Sequence, residues 1–165
     1  NRTIADGARS CSLESAVCIA DGYLRKRLTT MSSLRAYAFN LAGPRRALAM
    51  KVASLSDPGA GSVFETLTRL LLAGAGLRAP LTQYDVHDQD GTWIGRVDFA
   101  WPEARLILEC DGFEHHSSRD AFHRDRRRWN ALSRAGWAVR VVTWHDLVDD
   151  PESVIRLVAD HLAGT

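Results

Sequence analysis

The sequence predicts an α/β domain in its last two thirds, with an αβββαβ core, a mixed sheet flanked by helices, and a small helical region before it. Three segments typical of strands follow one another between residues 81 and 110. A helical pattern separates them from a further apolar strand at 137–143. The breaker-rich run Asp57–Gly61 precedes this whole pattern. Strands that follow one another favour a meander, and a strand reached through a helix favours parallel pairing.

Residues 1–56 are predicted to be helical. Leu13, Val17 and Ala20 repeat at helical spacing in residues 12–27, and further helices are expected over 32–41 and after Pro44. We therefore predict a helical region at 1–56, a linker at 57–61 and a second domain at 62–165. The chain begins at Asn1 without a methionine, so we expect it to be a fragment of a longer protein.

The second domain opens with a helix that starts at Ser62 and ends at Gly74. Strands are predicted at 81–86 and 92–100, with the hairpin signal Asp90-Gly91 between them, and at 105–110 after a turn at 101–104. A helix over 119–135 has Phe122, Trp129 and Leu132 on its inner face, and a last helix follows Pro151. The five tryptophans are expected to be mostly core and turn anchors.

The composition limits the class of protein. The 165 residues, 45% of them hydrophobic, suffice for one substantial core and a small second unit. No apolar run is long enough to cross a membrane, and the three cysteines (Cys11, Cys18 and Cys110) have no disulfide-framework spacing. We therefore expect a cytoplasmic protein with free thiols and no membrane segment.

The charge is unevenly distributed. Residues 1–61 contain nine basic and four acidic side chains, and residues 62–165 contain twelve arginines and sixteen acids. A basic part next to an acidic one is consistent with a polyanionic partner and a metal site.

The main functional feature is a group of acids at strand ends. Glu109 and Asp111 end one strand and project from the same face, and Asp98 lies near the end of the preceding strand. If these strands turn near residues 102–104, Asp98 lies opposite Glu109, and at about 5 Å the two charges repel by about 3 kcal/mol in an effective dielectric near 20. The pattern therefore predicts a site for a hard cation such as Mg²⁺. The alternative is that these acids are solvated and pair with Arg96 or Arg105.

Glu65 has two interpretations that the sequence leaves open. Ser62 and Glu65 have the spacing of a capping box, in which the glutamate folds back onto the start of its helix. Glu65 could equally reach toward the sheet as a fourth acid.

Taken together, these blocks resemble the PD-(D/E)XK nuclease superfamily, whose fold is restriction-endonuclease-like. More closely, they resemble domains related to the very-short-patch mismatch-repair endonuclease. The resemblance covers roughly residues 62–147 and rests on three blocks: Gly95–Phe99, Leu106–Gly112 with His115 and His116, and Arg124–Arg128 through to Trp137. The part before it looks like the middle of longer actinobacterial proteins, which carry an N-terminal winged-helix, antitoxin-like domain. A missing domain of this kind, or a protein partner, is therefore expected.

The resemblance implies specific roles. Asp98 would be the central metal ligand, with Glu109 and the carbonyl of Cys110 beside it, and Asp111 stands where most of the superfamily has lysine. Both lysines, Lys26 and Lys51, lie in the helical region. The mismatch endonuclease also lacks that lysine, which indicates His115 or His116 as the general base. A zinc site using Cys110 and these histidines is a weaker alternative.

The helix over 119–135 is rich in arginine, and Arg124, Arg127 and Arg128 are predicted to contact DNA phosphates. The alternatives are a solvated helix face, or Arg128 or Asp125 pointing inward to brace the acids. The predicted function is a DNA endonuclease of repair or defence that uses Mg²⁺ or Mn²⁺. A fold that no longer cleaves, and serves as a DNA- or protein-binding module of an antitoxin-type regulator, is the alternative.

Overall fold

The computed structural model describes residues 12–112 and 119–164, and it describes side chains for 12–112 and 126–164. The helices are α1 Leu13–Arg25, α2 Met31–Asn40, α3 Arg45–Leu55, α4 Val63–Gly74, α5 Arg119–Arg134, α6 Trp144–Asp149 and α7 Pro151–Ala163. The strands are β1 Leu81–His87, β2 Trp93–Trp101, β3 Leu106–Asp111 and β4 Ala138–Thr143, with a short 3₁₀ helix at Pro102–Ala104. The chain divides into two compact units, one up to Leu70 and the other from Leu71, so the division falls within α4.

The first unit has a core made by α1, α2 and α3. The hydroxyls of Ser12 and Thr30 accept hydrogen bonds from the third residue of α1 and of α2, which caps both helices. Small and branched apolar side chains fill the core: Ala16, Val17, Ala20, Leu24, Leu34, Ala38, Ala49, Val52 and Ala53. The helices predicted after residue 12 are present, and residues 1–11 of the predicted helical region lie outside the described residues.

A buried carboxylate ties the first unit together. Asp21 is 1% exposed, and its oxygens accept hydrogen bonds from the Asp57 backbone N–H at 2.8 Å and the Thr66 hydroxyl at 3.0 Å. Arg69 adds an ion pair at 2.9 Å. Burial raises the pKa of Asp21 above its usual value, and the hydrogen bonds with Asp57 and Thr66, together with Arg69, oppose that shift. These contacts join α1 to α4 and to the segment between α3 and α4.

The second unit contains a four-stranded mixed sheet in the order β1-β2-β3-β4. The β1–β2 and β2–β3 pairs are antiparallel, and β3 pairs with β4 in parallel through the α5 crossover. Leu106, Ile107 and Leu108 of β3 are fully buried, as expected for a central strand covered on both faces. The predicted α/β fold class and mixed sheet are confirmed.

An apolar cluster joins the sheet to α5. It consists of Val86, Val97, Ala100, Ile107, Leu132 and Trp137. The prediction that the tryptophans are mostly core and turn anchors is correct for Trp101 and Trp137, which are buried, but three others are not core residues. Trp93, Trp129 and Trp144 are 59%, 45% and 45% exposed. Trp93 instead donates its indole N–H to Asp85 on the neighbouring strand.

The short helix α6 was not predicted. Thr143 and Asp146 form a capping box: the hydroxyl accepts from the Asp146 N–H, and the carboxylate accepts from the Thr143 N–H. This spacing is visible in the sequence and marks the start of the helix. None of the helices in the described parts of the chain is long and apolar enough to cross a membrane.

Candidate active site

Asp98 and Glu109 occupy the point where β2 and β3 stop pairing. The paired residues run from Trp101 and Leu106 to Phe99 and Leu108, in the register predicted from the turn. At the next positions, carboxylate side chains accept the hydrogen bonds that backbone carbonyls would accept in a continued ladder. The Asp98 N–H donates to Glu109 Oε2 at 3.3 Å, and the Cys110 N–H donates to Asp98 Oδ2 at 2.9 Å. Each carboxylate therefore accepts a backbone hydrogen bond from the opposite strand.

Gln83 of β1 fixes the second oxygen of Asp98. Its Nε2 donates to Asp98 Oδ1 at 3.1 Å. Gln83 lies between Thr82 and Tyr84, which pair with Phe99 and Val97, so it faces Asp98 across the hairpin. Its φ of 48° is in the left-handed region, which costs a non-glycine residue about 1–2 kcal/mol. The strand pairing of Thr82 and Tyr84 on either side holds Gln83 in this conformation next to Asp98.

Arg128 of α5 reaches Glu109 from the other side. Its NH2 nitrogen donates to Glu109 Oε1 and also to the Arg96 carbonyl, at 2.6 Å. The side chain passes over Gly95, where a Cβ would lie 2.9 Å from Arg128 Nε. A glycine at position 95 is therefore needed for this path of the arginine. The sequence interpretation in which Arg128 points inward agrees with these contacts.

The Glu109 carboxyl is largely shielded from water, with 13% of its side chain exposed. This burial raises its pKa from 4.5 to about 7, and the nearby negative charge of Asp98 adds to the increase. Arg128 and the Asp98 N–H act in the opposite direction. The site therefore holds a carboxylate whose charged form lacks full compensation from the protein.

The two acids have lone pairs available to a divalent cation. Each of the four carboxylate oxygens accepts one of the hydrogen bonds described above and retains a second lone pair. Mg²⁺ is often held by one or two carboxylates, with waters and substrate phosphate completing its shell. In the residues that the structure describes, no group of three or more potential ligand side chains is present, and Asp98 and Glu109 are the two carboxylates that these residues bring together.

Of the other predicted site residues, the structure describes some and leaves others outside its described parts. Asp111 is exposed at the end of β3 opposite Thr143, and Arg127 is exposed on α5. Cys110 is half-buried and pairs with Val142 of β4. His115 and His116, and the side chain of Arg124, lie outside the described residues.

Glu65 makes the contacts expected of a helix cap. Its Oε2 accepts from the Gly61 N–H at 2.8 Å, and its own N–H donates to the Ser62 hydroxyl at 3.0 Å. The side chain is 6% exposed. Of its two interpretations, the capping one accounts for these bonds. Glu65 belongs to the first compact unit and Asp98 to the second.

Sequence reasoning did not identify Gln83 or Gly95 as parts of the site. Extending the predicted hairpin from its Asp90-Gly91 turn pairs Gln83 with Asp98, so a signal for the glutamine was available. The role of Gly95 depends on the path of a side chain from α5, which no strand pattern reveals.

The model of the restriction-endonuclease-like family REase_MTES_1575 matches residues 77–162, which is more than half of the chain. The chain belongs to this family. The match contains all four strands and the residues Gln83, Gly95, Asp98, Glu109 and Arg128. The second unit is therefore a restriction-endonuclease-like domain, as its fold also indicates.

Two relatives are similar to almost the whole chain. Uncharacterized protein MT2308 and uncharacterized protein Rv2248, from two strains of Mycobacterium tuberculosis, are each 30% identical to it over 161 residues. That alignment covers 97% of this chain and 59% of each relative, so the chain spans somewhat more than half the length of these proteins. No solved structure matches the chain significantly.

Proposed function

We propose that this restriction-endonuclease-like domain is a metal-dependent endonuclease that hydrolyses phosphodiester bonds in DNA. The single observation that carries the proposal is the pair Asp98–Glu109, two carboxylates held at the open end of the β2–β3 pairing. In the PD-(D/E)XK superfamily, which the strand-end acids resemble, such a pair holds Mg²⁺ or Mn²⁺. A bound ion supplies charge and Lewis acidity to the phosphate.

The residues of this chain have separate parts in the proposed reaction. Asp98 and Glu109 bind the cation, with the Cys110 carbonyl beside them, and Gln83 keeps Asp98 oriented. His115 or His116 accepts the proton of the attacking water, and Asp111 assists. Arg127 and Arg124 hold the flanking backbone through its phosphates, which gives affinity without sequence preference.

Cleavage of supercoiled plasmid tests this function. The purified protein is incubated with Mg²⁺ or Mn²⁺ beside Asp98→Ala, Glu109→Ala and Glu103→Ala. Glu103 is a matched control because it is an exposed acid in the turn between β2 and β3. We expect nicking that EDTA abolishes, that is lost in the first two variants and that persists in the third. Cleavage that continues in both site variants would show that the site is wrong.

A second candidate is a non-cleaving module that binds DNA or a protein partner in an antitoxin-type regulator. One observation favours it: Arg128 already pairs with Glu109. DNA that shifts in a gel but is not cut with any divalent metal would support this candidate over the endonuclease.

A further inference from the structure

Arg128 holds Glu109 through only one of the three nitrogens of its guanidinium group. The NH2 nitrogen makes both bonds, to Glu109 Oε1 and to the Arg96 carbonyl. NH1 and Nε donate to none of the described residues, and 29% of the side chain is exposed. Arginine has five N–H donors in a planar fork, so one nitrogen can be anchored while another binds an oxygen anion.

The charge balance of the site requires such a group. Asp98 and Glu109 bring two negative charges, which one divalent ion offsets, but the phosphate adds a charge that grows during hydrolysis. Among the described residues, Arg128 is the only cationic side chain that contacts either acid. Lys26 and Lys51 belong to the unit that ends at Leu70.

We propose that Arg128 is a catalytic residue that fixes Glu109 through NH2 and donates from NH1 to a non-bridging oxygen of the scissile phosphate. This inference rests on the proposed endonuclease function. The anchoring bonds orient the fork before the substrate arrives, and a preorganised donor aimed at developing charge stabilises the transition state more than the bound substrate. Lysine carries one point charge and cannot span both partners in this way.

The test compares Arg128→Ala, Arg128→Lys and the control Arg156→Ala, an exposed arginine on α7. Cleavage rates of a short duplex are measured at saturating substrate, with duplex binding in EDTA and thermal unfolding measured in parallel. Loss of one such donor lowers kcat by about 10²–10³-fold. In EDTA, Arg128→Ala should also reduce the slope of log affinity against log salt by about 1, as loss of one phosphate contact does. Added guanidinium ion should restore part of the rate, because it replaces the missing charge.

The outcomes separate this inference from the function on which it rests. An active wild type with an Arg128→Ala variant within twofold of its kcat would overturn the role of Arg128 and leave the function standing. A wild type that never cleaves would overturn the function itself. If Arg128→Ala does not fold, Arg128→Lys decides: a loss of about tenfold or more supports the role in which Arg128 binds Glu109 and the phosphate together, and a wild-type kcat overturns it.

Discussion

Asp98 donates its backbone N–H to the carboxylate of Glu109, its partner in the predicted register, at a distance of 3.3 Å. The two acids thus replace the next step of the β2–β3 pairing with side-chain bonds. They are held by the strands themselves and by Gln83 and Arg128 on either side. Two carboxylates stay together here because each has hydrogen bonds in place of part of its lost hydration.

Asp98→Asn should abolish cleavage while preserving the fold. The amide oxygen can still accept the Cys110 N–H, and Gln83 can turn its own amide so that its oxygen faces the new NH₂ group. The lost negative charge weakens cation binding, so we expect cleavage to fall by at least about 100-fold. Chemical denaturation should give a free energy of unfolding within about 1 kcal/mol of wild type. Undiminished cleavage would contradict the role of Asp98.

The free energy of unfolding should decrease as pH rises, because of Glu109. Its pKa is about 7 in the folded protein and near 4.5 when unfolded, so the folded state retains a proton that the unfolded chain releases. The protonated Glu109 carboxyl therefore adds about 3 kcal/mol to the free energy of unfolding. This stabilisation is fully present below pH 4.5 and is lost as pH rises through 7. Urea denaturation in metal-free buffer at pH 5 and pH 8 measures it.

Glu109→Gln is the control for that pH dependence. Glutamine does not titrate, so the variant should lose the part of the pH 5-to-8 decrease that Glu109 causes. An identical slope in wild type and variant would show that Glu109 does not cause the change.

Gly95→Ala should displace Arg128 without removing its charge. The new Cβ would lie 2.9 Å from Arg128 Nε and 3.3 Å from its Cδ, so the middle of the side chain must shift. Overpacking of this kind costs about 1–3 kcal/mol, and the shift should weaken the bond to Glu109. Gly74→Ala is the control, since its Cβ meets nothing within 4 Å. Equal melting temperatures for the two variants would contradict the close approach.

Asp21→Ala should destabilise the first unit strongly. The substitution leaves the Arg69 guanidinium, whose side chain is 12% exposed, without its closest carboxylate. Breaking a buried ion pair in this way costs about 3–5 kcal/mol. Asp21→Asn keeps hydrogen-bond acceptance for the Asp57 N–H and should cost less. Thermal unfolding followed by circular dichroism would show the order; an Asp21→Asn variant as stable as wild type would mean that the charge is unimportant.

The sequence was sufficient to predict the elements whose signals are local, and insufficient where the answer depends on side chains from distant elements. The strand alternation, the Asp90-Gly91 turn and the apolar run at 106–108 predicted the sheet, and the register of β2 and β3 followed from their turn. The exposure of Trp129 could not be predicted, because helical spacing alone does not show how far a partner surface extends. The path of Arg128 over Gly95 depends on how α5 packs against β2, which is a tertiary property.

Gln83→Gly should lower the cleavage rate while leaving the free energy of unfolding nearly unchanged. Glycine adopts the left-handed φ of this position without strain, which offsets the loss of the bond to Asp98, worth about 1 kcal/mol. We expect a free energy of unfolding within about 1 kcal/mol of wild type, because these two effects are of similar size. Cleavage should nevertheless fall about tenfold, since Asp98 loses the partner that orients it and a misplaced group costs rate steeply. Thr82→Gly, one residue earlier on β1, controls for added backbone freedom, and a rate equal to wild type in Gln83→Gly would show that Asp98 needs no such partner.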